Sequence, residues 1–501
     1  MAMEVRSTGR IGSSIWPTGF RPRSREMKLV QSNTPEADRV PFWQKVAYGL
    51  GGPVEGTAIW IPQANLTPVF NIALGLNPAL LGLVLMCWRI WDAVADQLMG
   101  NISDNARTRW GRRRPFIVIG AILTGLTMPL IWWMPHQLQE WQMFTWLLIG
   151  GIAFYTCFSI WAMPYYSLQL EMSPDYNERT NITAYRAFAQ QFMQLGAGWI
   201  LALAALPLFS HLPGGKPDLA NGMRFISMGL GILTVGLGIL PGLFVKERYY
   251  EKEASKQEKE PLWVGLKQTL STRPFLWIVA IVFTKTFGFG LIGTLGFYLN
   301  AYYACRGNLL LATTISGASA TALFAPNLLA IPLCTWIANR WDKRTLLYMT
   351  AIFGIIGSLS VYFFVTPGHP WLQVIPSLLM GPIGIGLWLV IPSMQADVAD
   401  YDELMGGKRR EGSFSAVFSW TFKATTALAG GLSGVLLMLT GFKIHDGAEQ
   451  SPHVLENLKL FYIWLPVIFL VLCLFAISRY PLTRARMQEI RAILEARRGV
   501  I

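Results

Sequence analysis

Two acidic residues, Asp92 and Asp96, lie four positions apart near the end of a long apolar stretch. Four residues make about one turn of an α-helix, so the two carboxylates share one helix face. An acidic side chain inside a membrane helix costs roughly 2.5–3.5 kcal/mol on insertion scales, and such residues usually face a cavity. Two close carboxylates repel each other, which favours uptake of a proton or binding of a cation such as Na⁺. The alternative is a structural pair that is neutralised by Arg89.

Further charged side chains interrupt other apolar stretches. Glu55 lies in a Gly/Pro-rich segment, 51–56, of the kind that lets backbone line a cavity. Lys423 lies about a dozen residues beyond Glu411, which is far for its ammonium group to reach an interface. We therefore expect Lys423 to be the counter-charge of the acidic pair and a candidate substrate-binding residue. Arg186 fits either a substrate site or a salt bridge near a loop, and Glu55 is also a candidate substrate-binding residue.

Aromatic side chains lie near these charged positions. Tyr166 and Trp388 have the flat apolar faces that stack on sugar rings. Aromatic residues at helical spacing also serve as packing or lipid-facing residues. Both interpretations stay open on composition alone.

The composition indicates a membrane protein. Of the 501 residues, 52% are hydrophobic and only 14% are charged, whereas a soluble chain carries about a quarter charged residues. Apolar runs of membrane-spanning length recur along the chain. They predict an all-α membrane protein with twelve transmembrane helices, at about 44–74, 78–101, 115–134, 143–170, 182–208, 223–245, 275–304, 308–338, 345–365, 371–399, 413–441 and 460–479.

The spans divide into two six-helix halves. Trp110 recurs as Trp341 after 231 residues, and Pro164 recurs as Pro392 after 228 residues, so the halves resemble a duplication. This is the plan of the major facilitator fold. The predicted units are a polar and flexible N-terminal tail, an N-terminal half, a cytoplasmic linker, a C-terminal half and a basic C-terminal tail, at 1–43, 44–245, 246–274, 275–480 and 481–501.

Lys and Arg residues are concentrated in some of the segments that connect the predicted spans. The segment between the second and third spans holds five arginines between Arg107 and Arg114, and the central linker holds further lysines. Short loops rich in Lys and Arg stay in the cytoplasm. We therefore expect an integral, multi-pass protein of the plasma (inner) membrane with both termini in the cytoplasm.

Charged residues at the predicted cytoplasmic ends suggest a gate. Acidic and basic side chains occur there in both halves, and opposite charges of the two halves would pair when the inner side is shut. The candidate gate residues are Asp104, Arg112, Arg113, Arg114, Asp397, Asp400 and Arg410. The alternative is that some of these arginines only set the topology.

Several function classes are disfavoured. The net charge of +13 lies in short loops and tails, which argues against nucleic-acid binding. The five cysteines are scattered, and the chain carries no GxSxG, HExxH or P-loop motif, so we expect no enzyme, no catalytic residue and no cofactor. The only metal expected is a possible Na⁺ at Asp92 and Asp96.

Spaced motifs in both halves resemble the glycoside–pentoside–hexuronide:cation symporters, sugar transporters of the major facilitator superfamily that include melibiose permease. The matching segments are Trp91-Asp92-x-x-x-Asp96-x-x-Met99-Gly100, Arg107-x-Arg109-Trp110-Gly111-Arg112-Arg113-Arg114-Pro115, Pro164-Tyr165-Tyr166, Ala396-Asp397-x-x-Asp400-Tyr401 and Arg410-Glu411. The resemblance implies that Asp92 and Asp96 bind the coupling cation and that Lys423 lies at the same polar centre. It also implies that Tyr166 and Trp388 contact the sugar and that Arg186 lies close to it.

The chain departs from melibiose permease at several of these positions. Ala162 replaces an acid that serves both sugar and cation, and Ala95 replaces a polar residue before the second acid. Glu55 is one position away from the acid of the first span, and Gln97 replaces a proline. Fewer oxygen ligands disfavour Na⁺ and favour a proton.

These observations predict a secondary active transporter that carries a sugar, glycoside or uronide together with H⁺ or Na⁺ by alternating access. Its partners would be the small-molecule substrate, the coupling cation and membrane lipid, and we expect a monomer. Two alternatives are a transporter of a lipid, a lysolipid or another organic solute on the same fold, and a membrane sensor that does not transport.

Overall fold

The computed structural model describes residues 39–135, 138–173, 176–210, 212, 217–247, 269–406, 411–443 and 450–498. The regular secondary structure of these residues is helical. The helices are α1 Phe42–Gly49, α2 Gly52–Thr67, α3 Pro78–Asn105, α4 Arg114–Trp132, α5 Glu140–Met172, α6 Tyr176–Ala204, α7 Leu219–Phe244, α8 Arg273–Tyr298, α9 Leu309–Arg340, α10 Lys343–Phe364, α11 Val374–Gly406, α12 Glu411–Leu439, α13 Pro452–Arg479 and α14 Arg484–Arg498.

Helix starts follow from local sequence. Asn77 precedes α3, and its side chain accepts a hydrogen bond from the Ala79 backbone N–H at 2.8 Å. Asp218 and Asn308 cap α7 and α9 in the same way. A short polar side chain before the first turn satisfies an amide that has no partner inside the helix.

Ten helical segments of the described residues are long and apolar enough to cross a membrane. Two other predicted spans correspond to α2 and α6. A π-helical turn over Pro68–Ala73 extends α2. The helix α6 is more polar because it carries Arg186 and three glutamines, Gln190, Gln191 and Gln194. The all-α fold is confirmed, while the count of twelve membrane crossings stays a prediction.

The first predicted span is interrupted. Instead of one helix over 44–74, the chain forms α1 and α2 with a break at Leu50 and Gly51. Glycine is a poor helix former, and Pro53 fits the first turn of α2, so the local sequence favours a new helix start there.

Each half has its own apolar core. One cluster of buried side chains belongs to 40–245, and two others draw their buried members from 275–494. The halves meet through α3 with α12 and through α6 with α9. These are the second and fifth long helices of each half, so the two contacts are equivalent under the internal repeat.

The halves approach most closely at one end of the bundle. We call the end where α3 leads into α4 the arginine-rich face, and the other end the opposite face. A Cβ atom added to Gly434 of α12 would lie 1.9 Å from the Pro78 carbonyl oxygen of α3. The Trp199 indole N–H of α6 donates to Thr321 Oγ1 of α9 at 2.9 Å. The opposite face is therefore closed in this structure.

The C-terminal tail forms α14, which packs on α11 of the C-terminal half. Met487, Ile490 and Leu494 are buried in the same cluster as the α11 side chains Met394 and Val398. The apolar side chains of this basic tail thus dock it onto the helix bundle.

Candidate functional site

Asp92, Asp96 and Lys423 come together where α3 meets α12. The Lys423 Nζ lies 3.1 Å from Asp92 Oδ2 and also donates a short hydrogen bond to Asp96 Oδ2. The two carboxylates belong to the N-terminal half and the ammonium group to the C-terminal half. The counter-charge expected from the sequence therefore lies in contact with the acidic pair.

The remaining oxygens of the acidic pair differ in their partners. Asp96 Oδ1 accepts a hydrogen bond from the Ser159 hydroxyl of α5 at 2.7 Å. Asp92 is 4% exposed, and its Oδ1 is buried without a hydrogen-bond partner among the described residues. An unpaired buried carboxylate oxygen is costly, so it is a position where a proton or a cation would be stabilised.

Arg89 is held by α2 rather than by the acidic pair. Its guanidinium donates to Gln63 Oε1 at 3.2 Å and to the Ile59 carbonyl at 3.4 Å, and it lies over the Tyr155 ring. Among the described residues, the base in salt-bridge contact with the pair is thus Lys423 and not Arg89.

A second charged cluster lies between α2, α5 and α6. Arg186 donates to Glu55 Oε2 at 2.7 Å, and its guanidinium lies 4.9 Å from the centre of the Tyr166 ring. Tyr166 is also near enough to Asp96 to interact with its charge. Three predicted substrate-binding residues are therefore brought together beside the acidic pair.

Buried aromatic rings pack beside this cluster. Tyr165 stacks on Tyr48 and on Trp161, with ring centres 4.6 and 4.5 Å apart. Its hydroxyl donates to the Tyr48 carbonyl at 2.8 Å. Tyr165 is fully buried, so it positions α1 and α5, and Tyr166 is the neighbour that borders the charges.

Trp388 lies apart from these charges, on α11. It is 50% exposed and packs edge-on against Phe422, whose ring centre is 5.0 Å away. Phe422 directly precedes Lys423, so Trp388 borders the helix turn that carries the ammonium group. Its predicted sugar contact stays a prediction.

The arginines at the start of α4 are bound within their own half. Arg112 and Arg113 form ion pairs with Glu171 of α5, at 2.8 and 3.1 Å, and Arg113 also reaches Asp104 at 3.1 Å. Burial raises the pKa of the Glu171 carboxyl, and the two arginines oppose that shift. Arg114 donates to two carbonyls in the last turn of α7, Gly242 and Leu243, and so caps that helix end.

The acidic residues of α11 are likewise paired within the C-terminal half. Lys343 of α10 donates to Asp397, and Arg491 of α14 reaches Asp397 at 3.1 Å and Asp400 at 3.5 Å. Arg410 lies outside the described residues. The cross-half pairing predicted for a gate is thus replaced here by pairing inside each half, and the gate stays a prediction.

Several contributors to these clusters carried no clear sequence signal. Ser159 is one polar residue in an apolar helix, and Glu171 and Arg491 lie far along the chain from their partners. Glu247, in the predicted linker, accepts hydrogen bonds from three successive backbone amides of the α4 start. In the sequence, these residues are indicated only by the alternation of acidic and basic residues near helix ends.

No group of three or more His, Cys, Asp or Glu side chains able to hold a metal ion occurs in the described part of the chain. The acidic pair and the Ser159 hydroxyl together offer few oxygen ligands for a metal ion.

A family model described as "MFS/sugar transport protein" matches residues 47–484. The chain belongs to this family. The match covers both halves and includes the acidic pair, Lys423 and the Glu55–Arg186 cluster. The family comprises transporters, so the chain is a transporter and not an enzyme, and it is an integral, multi-pass membrane protein.

Individual relatives are similar over almost the whole chain. The isoprimeverose transporter of Lactiplantibacillus pentosus is 24% identical, over 89% of this chain and 90% of its own. A glucuronide carrier protein homolog of Escherichia coli is 24% identical, over 91% and 96%. The sodium-dependent lysophosphatidylcholine symporter 1 of Gallus gallus is 24% identical, over 99% and 95%.

Solved structures agree on the fold. The crystal structure of a D-xylose-proton symporter superimposes with a TM-score of 0.61 at 14% identity, covering 86% of this chain and 97% of that chain. At this identity the likeness establishes the fold alone. The major facilitator fold predicted from the internal repeat is therefore confirmed.

Proposed function

We propose that the protein is a secondary active symporter that moves a sugar, glycoside or uronide together with a cation by alternating access. The observation that carries this proposal is the acidic pair. Asp92 and Asp96 of one half share the Lys423 ammonium of the other half, and Asp92 Oδ1 is left without a partner among the described residues. The names of the sugar-carrying relatives support the same activity.

The geometry links cation binding to movement of the halves. A coupling cation needs the same carboxylate oxygens that Lys423 now occupies, so cation and ammonium compete for them. Since the ammonium belongs to the other half, a change at the pair alters an ion pair across the interface. Alternating access requires a contact between the halves that has two arrangements. A bound ion can shift the equilibrium between them.

We propose a proton as the coupling cation. The oxygens gathered here are those of two carboxylates and one serine, whereas sodium as a hard cation is best held by a cage of several oxygens. Ala95 and Ala162 are both buried, and their side chains carry no oxygen that could add to this set. A protonated carboxylic acid needs no such cage.

The state of the structure fits the inward-open stage of this cycle. The opposite face is closed, and the charged clusters of the arginine-rich face are paired within their own halves. If basic loops lie in the cytoplasm, the closed face is the outer one. We accordingly propose a protein of the plasma membrane, with cytoplasmic termini, that acts as a monomer and carries substrate inward.

The test is uptake by proteoliposomes that contain the purified protein. A panel of neutral and acidic glycosides is offered with an imposed H⁺ or Na⁺ gradient. We expect Asp92→Asn and Asp96→Asn each to reduce gradient-driven accumulation at least tenfold, because the pair can no longer bind the cation. Glu489→Gln is the matched control, since that carboxylate is 61% exposed on α14.

Full accumulation by both asparagine variants would contradict the proposal. Survival of substrate exchange without a gradient in these variants would restrict the role of the pair to coupling. Exchange under balanced conditions needs the substrate site but not the energy stored in the gradient.

A lysolipid transporter is the second candidate, because a sodium-dependent lysophosphatidylcholine symporter matches nearly the whole chain. Inhibition of uptake by lysophosphatidylcholine, but by no glycoside of the panel, would favour it. A non-transporting sensor would bind a solute in the same vesicles without any flux.

A further inference from the structure

The charged side chains in the middle of the bundle cancel one another before any ligand binds. Among the described residues, three of these side chains are acidic, Asp92, Asp96 and Glu55. Three are basic, namely Lys423, Arg186 and Arg89. The site is thus formally neutral with the acidic residues ionised. Binding of one coupling cation therefore gives it a net charge of +1.

A seventh charged residue does not offset this excess. Lys285 of α8 is buried in the C-terminal half, where its ammonium group lies 3.5 Å from Thr350 Oγ1 and near Cys334 and Cys473. If this lysine is protonated, it adds positive charge to the bundle. The net positive charge of the cation-loaded transporter is then larger, which favours binding of a negative ligand still more.

The uncompensated positive charge is that of the Lys423 ammonium group. A proton or metal ion on the acidic pair removes half of the negative charge that faces the ammonium group. Arg186 keeps its partner, since Glu55 is bound to it at 2.7 Å and Tyr166 covers its guanidinium. The Lys423 side chain is 22% exposed, so its free edge is open to a ligand. A carboxylate there would replace the lost counter-charge.

We propose that the transported substrate is a monoanion, a glycoside that bears one carboxylate, and that it moves with one cation as an electrically neutral set. This inference rests on the proposed function and names its substrate class. A neutral sugar would leave an uncompensated positive charge in the closed site, which is unfavourable away from water. A uronide leaves none.

Matched glycoside pairs test the proposal in proteoliposomes of the wild-type protein. The members of each pair differ only by a carboxylate in place of a hydroxymethyl group on the ring, as in methyl β-glucuronide and methyl β-glucoside, and galacto pairs are tested alongside. We expect the acidic member to be taken up at least tenfold faster. A membrane potential imposed with potassium and valinomycin should leave its rate unchanged.

Variants of Lys423 supply a second measurement. Lys423→Gln removes the charge that selects the carboxylate, so the ratio of acidic to neutral uptake should fall to near one. Lys423→Arg retains the charge and should keep a preference of several-fold. If the glutamine variant fails to fold, the wild-type ratio and the potential dependence still decide the matter.

Two outcomes separate this inference from the proposed function. If neutral members accumulate under a cation gradient, and an interior-negative potential accelerates them, symport stands and the monoanion inference is wrong. If no member of any pair accumulates under either gradient, the proposed sugar symport is wrong, and the inference about the substrate class is wrong as well.

Discussion

At the scale of single residues, the site is an arrangement of ions that cannot all be satisfied at once. Lys423 has two carboxylates to neutralise, and Asp92 Oδ1 is buried without a hydrogen-bond partner among the described residues. A fully satisfied cluster would be rigid, because moving any member would break contacts. The unsatisfied oxygen leaves the pair ready for a cation.

Ser159 offers a way to distinguish the coupling cations. Its hydroxyl donates to ionised Asp96 at 2.7 Å, and hydrogen bonds to charged groups contribute about 1.5–3 kcal/mol. In Ser159→Ala the carboxylate would hold a proton more tightly. With proton coupling, we expect half-maximal uptake to move to higher pH by roughly one unit. The measurement is the pH profile of initial uptake rates.

Sodium coupling predicts a different result for the same variant. Loss of the hydroxyl would remove a possible ligand and raise the half-saturating Na⁺ concentration, with little change in the pH profile. Ser478→Ala is the matched control, because its hydroxyl donates to the Phe475 carbonyl in an exposed part of α13. An unchanged pH profile in Ser159→Ala would contradict proton coupling at Asp96.

At the residue level, the sequence indicates contacts where burial in a membrane restricts the choices of partner. A lysine and two acids in apolar helices must find partners, so their meeting was predictable. Ser159 was not, because one serine in a membrane helix commonly bonds its own backbone and gives no sign of a partner on another helix.

At the scale of helices, close backbone contact between α3 and α12 closes the opposite face. Gly82 and Gly434 allow it, since a Cβ at either position would meet a backbone oxygen of the partner helix, at 2.4 Å and 1.9 Å. Small residues let membrane helices approach closely. The seam suits two helices that must come apart and close again during transport.

Gly434→Ala should weaken this seam. The added methyl group cannot fit beside the Pro78 carbonyl, and overpacking of this kind costs about 1–3 kcal/mol. We expect the opposite face to open more often, so that a single cysteine placed at Ala79, in a background without the native cysteines, reacts at least fivefold faster with a polar thiol reagent.

Gly229→Ala in α7 is the control, because the structure places no described atom within 4 Å of a Cβ there. Equal reaction rates in the wild-type background, Gly434→Ala and Gly229→Ala would show that the seam does not control opening of this face.

Helix boundaries were less predictable than helix existence. The apolar runs predicted the long helices, but they could not reveal the break between α1 and α2. They also could not reveal the π-helical turns Pro68–Ala73 after α2 and Leu299–Ala304 after α8. Such features depend on how neighbouring helices pack. The docking of α14 on α11 depends on tertiary packing in the same way.

At the scale of the whole molecule, the two halves have separate apolar cores and meet mainly along two helix pairs, α3 with α12 and α6 with α9. Predicted ion pairs between the gate residues of the two halves are absent from the described residues. Five of these residues instead form ion pairs inside their own half, namely Asp104, Arg112, Arg113, Asp397 and Asp400. Sequence can identify which charges lie at that face. It cannot choose between conformations, because both use the same residues with different partners.

The most direct measurement of cation coupling is the cation flux that substrate itself causes. When a transported glycoside is added to proteoliposomes without any imposed gradient, symport must carry the coupling cation inward with it. We expect the weakly buffered external medium to become alkaline, with one proton per substrate, and radioactive sodium measured in parallel to remain outside. The double variant Asp92→Asn/Asp96→Asn should abolish the proton flux. Substrate entry without movement of either cation, or an undiminished flux in the double variant, would contradict coupling through this pair.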